Sequence, residues 1–180
     1  MALTLTGRTL AVAACLLTGS LTLAAPAIAA GGDGAGRLKA KFVANLVARH
    51  SGKCLDVYGR DTADGARVVQ WTCGNEWPNQ EFRFVATSDG YYTIRAEHSG
   101  KCLDVYGRDT ADGVRVVQWT CNGAANQEWR LDQKDNGYFT VVARHSGKCL
   151  DVYGRDTANE ARIVQWSCGK GWSNQEWRLA

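Results

Sequence analysis

The chain has 180 residues, 45% apolar and 22% charged, which excludes disorder as its main state and is too short for two large domains. Its 21 basic and 18 acidic residues leave a formal charge of +3, far from the surplus that phosphate neutralisation demands, so nucleic acid is not an expected partner. Seven Trp and 20 Gly against two Pro and one Met favour short strands and tight turns over helix bundles.

Residues 1–29 read as a secretory signal peptide. Arg8 leads into a mostly apolar run from Leu10 to Ala25, followed by Pro26 and the small-x-small pattern Ala27-Ile28-Ala29, so cleavage near Ala29 and secretion out of the cell are expected. Val12-Ala13-Ala14-Cys15 is similar to a lipoprotein cleavage box, but the apolar run continues well beyond Cys15. That run is too interrupted by Thr and Ser to make a good membrane span, and no later stretch could serve as one. Residues 30–40 are expected to be a flexible segment. Loss of the signal leaves six of the seven cysteines, and an even count in an exported chain predicts a disulfide framework.

From residue 41 onward one unit is written three times. The 14 residues His50 to Ala63 recur without change from His98 to Ala111 and from His145 to Ala158, at spacings of 48 and 47 residues. Each copy runs on through Val/Ile-Val-Gln-Trp and a second Cys to Asn-Gln-Glu-aromatic. No copy shows helical spacing of its apolar residues; the apolar segments are short, β-branched and bounded by Gly, Asp and Asn. Three copies are too few for a propeller, so an all-β threefold barrel, a β-trefoil with about four short strands per repeat, is the expected fold. The domain is placed at 41–180, with repeats at about 41–87, 88–134 and 135–180.

Six cysteines allow about 15 pairings. Only three of these treat the copies alike, and the most local one joins Cys54 to Cys73, Cys102 to Cys121 and Cys149 to Cys168. If the two cysteines of a copy face each other on antiparallel strands, Asp56 lies opposite Trp71, Asp104 opposite Trp119 and Asp151 opposite Trp166, on the face that carries the disulfide. A carboxylate beside an indole suits a sugar: the ring stacks on the apolar face of the pyranose while the charged oxygen accepts neighbouring hydroxyls.

Cys-Leu-Asp-Val, the Trp two places before the second Cys, and Asn79-Gln80-Glu81-Phe82 with Asn126-Gln127-Glu128-Trp129 and Asn174-Gln175-Glu176-Trp177 together resemble the ricin B-type lectin family. The resemblance covers about residues 42–179. It implies a β-trefoil that binds carbohydrate, a polysaccharide or a glycoprotein glycan, through Asp56, Trp71, Asn79 and Gln80, through Asp104, Trp119, Asn126 and Gln127, and through Asp151, Trp166, Asn174 and Gln175. In this family the Gln is often structural. One departure stands out: where many members have Gln four places before the second Cys, this chain has Val69, Val117 and Val164. Gln70, Gln118 and Gln165 follow one place later and should point the other way. Tyr58, Tyr106 and Tyr153 share the strand face of the Asp and can border the sugar.

Other readings of the same residues are blander. Phe82, Trp129 and Trp177 are expected in the core. Lys53, Arg60 and their copies read as solvated surface. His50, His98 and His145 precede Ser-Gly turns, and no metal or other cofactor is expected. The prominent acids come in triplicate without a cleft-bearing second domain, which argues against an enzyme. The expected protein is a secreted, monomeric lectin with up to three sites; the alternatives are an accessory module for a partner glycoside hydrolase and a β-trefoil protease inhibitor. Trp77 and Trp172, absent from the middle copy, predict unequal sites, the first strongest and the second weakest.

Overall fold

The computed structural model describes residues 40–180, so the signal peptide at 1–29 and the segment at 30–39 lie outside the described residues. The first repeat contributes β1 (Lys41–Ala44), β2 (Leu46–Ala48), β3 (Cys54–Val57), β4 (Val68–Trp71) and β5 (Phe82–Ala86). The second gives β6 (Tyr91–Ala96), β7 (Cys102–Val105), β8 (Val116–Trp119) and β9 (Glu128–Gln133). The third gives β10 (Phe139–Ala143), β11 (Cys149–Val152), β12 (Ile163–Trp166) and β13 (Trp177–Leu179). Each repeat thus supplies four strand positions, the first being broken at Asn45 into β1 and β2.

The outer strands of the repeats pair antiparallel in a closed ring: β1 with β5, β5 with β6, β6 with β9, β9 with β10, β10 with β13, and β13 with β2. Closure removes the exposed edges of an open sheet. The hairpins β3–β4, β7–β8 and β11–β12 cover one end and touch each other through isolated bridges Arg67↔Val117, Arg115↔Val164 and Val69↔Arg162. The fold is a β-trefoil.

Inside the ring, Leu46, Leu55, Phe82, Phe84, Ile94, Leu103, Trp129, Leu150 and Trp177 are buried together. Phe82, Trp129 and Trp177 therefore belong to the core, as their position after Asn-Gln-Glu suggested. The indole N–H groups are satisfied there: Trp129 donates to the Leu103 carbonyl at 3.0 Å and Trp177 to that of Leu150 at 3.2 Å. Cutting either ring back to Ala is expected to cost about 3–5 kcal/mol, from the lost burial of the ring together with the cavity it leaves.

The disulfides are Cys54–Cys73, Cys102–Cys121 and Cys149–Cys168, each with Cα atoms 5.1 Å apart. The cross-strand register differs from the one drawn from sequence. Cys54 lies opposite Trp71 and Asp56 opposite Val69, with the same shift in the other copies. The reason is that Cys73 lies beyond the end of β4 and reaches back from a loop, so the two cysteines are not a cross-strand pair. The shift is two residues, an even number, so Asp56 and Trp71 stay on one face as diagonal neighbours. Gln70 turns to the opposite face, where it accepts from Ser51 Oγ at 2.8 Å and donates to the carbonyls of Asp156 and Ala158 of the third repeat, each at 2.8 Å.

Candidate sugar-binding clefts

In each repeat the chain leaves the sheet just after the Asp. Tyr58–Arg60 forms a 3-10 turn in which Gly59 (φ 66°) and Arg60 (φ 57°) are both left-handed. Two such residues in succession fold the chain back beside the carboxylate, and glycine at the first avoids a Cβ clash. Asp61 then caps the turn by accepting from the Ala63 amide at 2.8 Å. Its carbonyl is held from the next repeat by His98 Nε2 at 3.0 Å and Gln118 Nε2 at 2.7 Å. A carbonyl can only accept, so Nε2 carries the proton of that imidazole.

Three open clefts result. The first, of about 360 Å³, is lined by Asp56, Tyr58, Gly59, Arg60, Trp71, Trp77 and Asn79. The second, of about 370 Å³, has Asp104, Tyr106, Gly107, Arg108, Trp119, Asn122 and Asn126. The third, of about 380 Å³, has Asp151, Tyr153, Gly154, Arg155, Trp166, Trp172 and Asn174. The Tyr and Trp rings of each cleft stand 6.0, 6.2 and 5.9 Å apart at interplanar angles of 56°, 64° and 55°. This opens an aromatic corner whose indole is only half-buried.

The carboxylates form the polar wall. Asp56 Oδ2 accepts from Asn79 Nδ2 at 2.9 Å and Gln80 Nε2 at 2.7 Å; Asp151 Oδ2 accepts likewise from Asn174 and Gln175. Asp104 Oδ2 accepts from Gln127 at 2.8 Å, while Asn126 donates to the Val105 carbonyl. In all three, the bonds fall on Oδ2, and Oδ1 has no hydrogen-bond partner among the described residues. The carbonyl oxygens of Asn79, Asn126 and Asn174 are buried and equally without partners. Burial pushes all three carboxyls upward against the stabilising amides, Asp151 up to about 6, because a desolvated carboxylate loses hydration that two donors only partly replace.

Asp, Trp and Asn of each copy therefore meet at one cleft. Gln80, Gln127 and Gln175 stand behind it with no exposed surface. Gln80 donates to Asp56 and to the Thr72 carbonyl while accepting from the Gly74 amide at 2.9 Å, so it positions the acid. The Tyr residues border the clefts as expected, and Arg60, Arg108 and Arg155 are exposed, in keeping with their reading as solvated surface. The same arginines, each at a left-handed position of the turn, also form part of the cleft walls. Their place three residues after Val of Cys-Leu-Asp-Val, unchanged in every copy, was the available signal. Lys101 and Lys148 also do more than face solvent, pairing with Asp64 at 2.7 Å and Asp112 at 2.6 Å across the repeat boundary.

The clefts differ at one wall. Trp77 lies so closely over Gly74, and Trp172 over Gly169, that any Cβ at either glycine would overlap the indole. The middle copy has Asn122 at that position and no such Trp. Its Oδ1 accepts from the Ala124 amide at 2.9 Å and so closes the shorter loop.

The profile of a family described as ricin-type beta-trefoil lectin domain-like matches residues 38–119, 78–166 and 125–180. Among solved structures, the designed threefold-symmetric protein ThreeFoil is 48% identical, with 77% of this chain and 97% of that chain covered and a TM-score of 0.74. An exo-beta-1,3-galactanase from Clostridium thermocellum is 37% identical over 77% of this chain and only 30% of its own, with a TM-score of 0.73. The Macrolepiota procera ricin B-like lectin, solved in complex with lactose, is similar in fold at 21% identity, 79% and 96% coverage and a TM-score of 0.68. A search of the curated proteins found no match.

Proposed function

The chain belongs to the ricin-type β-trefoil lectin-like family, and on that premise we propose that it is a secreted, non-enzymatic carbohydrate-binding protein with three sugar sites. The observation that carries the reading is the threefold recurrence of one carboxylate oxygen without a protein partner beside a half-exposed indole. A pyranose stacked on Trp71 presents its equatorial hydroxyls toward Asp56 Oδ1, and Arg60 and Tyr58 close the other sides. Binding and orientation are all that this arrangement needs to perform. Each cleft has one carboxylate at its centre, whereas glycoside hydrolysis uses two with distinct roles.

The proposed ligand is a glycan with terminal or branching galactose. The likeness to the galactanase and to the lactose-bound lectin favours β-galactosides as the first probe. Because the fold corresponds to only 30% of the galactanase chain, a second reading as an accessory module for a partner glycoside hydrolase has specific support. A protease inhibitor would rest on one distinctive loop, and the near-identity of the three clefts speaks against it. The three disulfides fit an oxidising, extracellular setting. No helix among the described residues is long and apolar enough to cross a membrane.

A glycan array with residues 30–180 tests the proposal directly. Retention by β-galactosides is expected, and failure to retain any glycan overturns it. A hydrolysis assay on the best ligand separates lectin from enzyme.

A further inference from the structure

The turn that follows each cleft packs against the stacking ring of the next one. Gly65 of the first repeat hydrogen-bonds through its amide to the Gln118 carbonyl, and Gly113 of the second to that of Gln165, each at 2.9 Å. A Cβ at Gly65 would lie 3.6 Å from Trp119 Cζ3, and one at Gly113 3.5 Å from Trp166 Cζ3. The third repeat breaks the pattern. Its turn keeps the same hydrogen bond, from the residue 160 amide to the Gln70 carbonyl at 3.0 Å, but the residue is Glu160, held at φ 68° in the left-handed region. The position that grazes the indole in the other two clefts thus carries a carboxylate in the first.

Its side chain turns to the aromatic corner of that cleft. Tyr58 Oη donates to Glu160 Oε1 at 3.4 Å, and Arg67, whose guanidinium lies 4.3 Å from the centre of the Tyr58 ring, pairs with Glu160 Oε2 at 3.6 Å. Arg115 and Arg162 stack in the same way on Tyr106 and Tyr153, at 3.9 and 4.5 Å, with no acid paired to them among the described residues.

We propose that Glu160 is a specificity-determining residue of the first cleft: supplied by the third repeat, it sets a second carboxylate at the rim beside Trp71 and Tyr58, so that this cleft disfavours anionic sugars relative to the other two. The inference rests on the clefts being sugar sites. In every cleft a uronate meets the arginine of the left-handed turn; one stacked on Trp71 also meets a like charge from Glu160, to which Arg67 is already paired at 3.6 Å. The same uronate in the second or third cleft meets Arg115 or Arg162 unopposed. Charges separated by one sugar ring at a wet surface change affinity by a factor of about five.

The test uses the double variant Trp119→Ala/Trp166→Ala, which leaves only the first stacking ring, with and without Glu160→Gln. Methyl galactoside and methyl galacturonoside are titrated into each. Glu160→Gln is expected to improve galacturonoside affinity about fivefold, with galactoside affinity changed less than twofold, and raised salt should erase the difference. Glu160→Gly, which restores the residue type of the other turns, should act the same way. Galactoside binding with no gain for galacturonoside in either variant overturns the proposal alone. Absence of binding of either sugar to the parent protein overturns the sugar-site reading together with it.

Discussion

Asp56, Asp104 and Asp151 each turn one carboxylate oxygen inward and leave the other to the cleft, so the test of their role depends on the substitution chosen. Asp→Ala would strand the amide donors of Asn79 and Gln80 in a buried site, at about 1–3 kcal/mol per unmatched group. These side chains are only 3% or 4% exposed, so Asp→Ala would lower stability as well as binding. Asp→Asn keeps an oxygen toward those donors and presents an N–H₂ to the ligand. The triple Asp→Asn protein is expected to keep its melting temperature within a few degrees and to lose retention on a galactoside column. Each site should lose about 1.5–3 kcal/mol, the worth of a hydrogen bond to a charged group. The raised pKa values add a pH dependence. A carboxyl lifted from near 3.8 to about 6 in the folded state, as at Asp151, contributes stability that is complete below 3.8 and is lost as pH rises through 6. Sugar acceptance needs the charged form and runs the opposite way. Between pH 7 and pH 5, titration of a monovalent galactoside should show reversible weakening, greatest in the third cleft, while circular dichroism stays unchanged.

Strands and loops show how far the sequence could be read. The identical Cys-Leu-Asp-Val segments and the β-branched runs made β3, β4 and their copies legible, because alternation on a short strand fixes which residues share a face. The same logic misjudged the register, since no pattern in the residues reports that Cys73 lies past the end of β4. That the exposed Arg60 also borders the cleft was not legible for a related reason: the turn there has two left-handed residues, and propensity does not report such a conformation for arginine. The loop before Asn79 offers a sharp test of the second aromatic wall. Gly74→Ala forces the Trp77 ring out of its place and should weaken the first cleft as much as Trp77→Ala does, with the second cleft, which has Asn122 and no ring there, unaffected. Single-site titrations of the two variants should agree within twofold.

Across the whole molecule the three repeat boundaries are not equal. Asp64 grips the Thr120 amide and Lys101, and Asp112 grips the Ser167 amide and Lys148. At the boundary that closes the ring, Asn159 bonds the Thr72 amide at 2.9 Å and Lys53 reaches only Thr72 Oγ1 at 3.3 Å, while Glu160 holds a left-handed backbone that favours glycine. The double change Asn159→Asp/Glu160→Gly restores the ion pair and removes the strain. It is expected to stabilise the fold by about 1 kcal/mol, or roughly 2–4 °C in Tm for a chain of this size, read by calorimetry.

The dependence of each site turn on its neighbour reaches further. The Asp61 carbonyl is held by His98 and Gln118, that of Asp109 by His145 and Gln165, and that of Asp156 by His50 and Gln70. Every repeat thus carries both a clasp and the eye it fastens to, but never for itself. A peptide of residues 88–134 cannot satisfy its own turn, yet three copies could satisfy one another around a threefold axis. Such a peptide should be unfolded when dilute and assemble at higher concentration into a closed homotrimer, with sedimentation equilibrium reporting three chains and no stable dimer. In those terms the present chain has the connectivity of a cyclic trimer joined end to end, each cleft lined by one repeat and its turn fastened by the next.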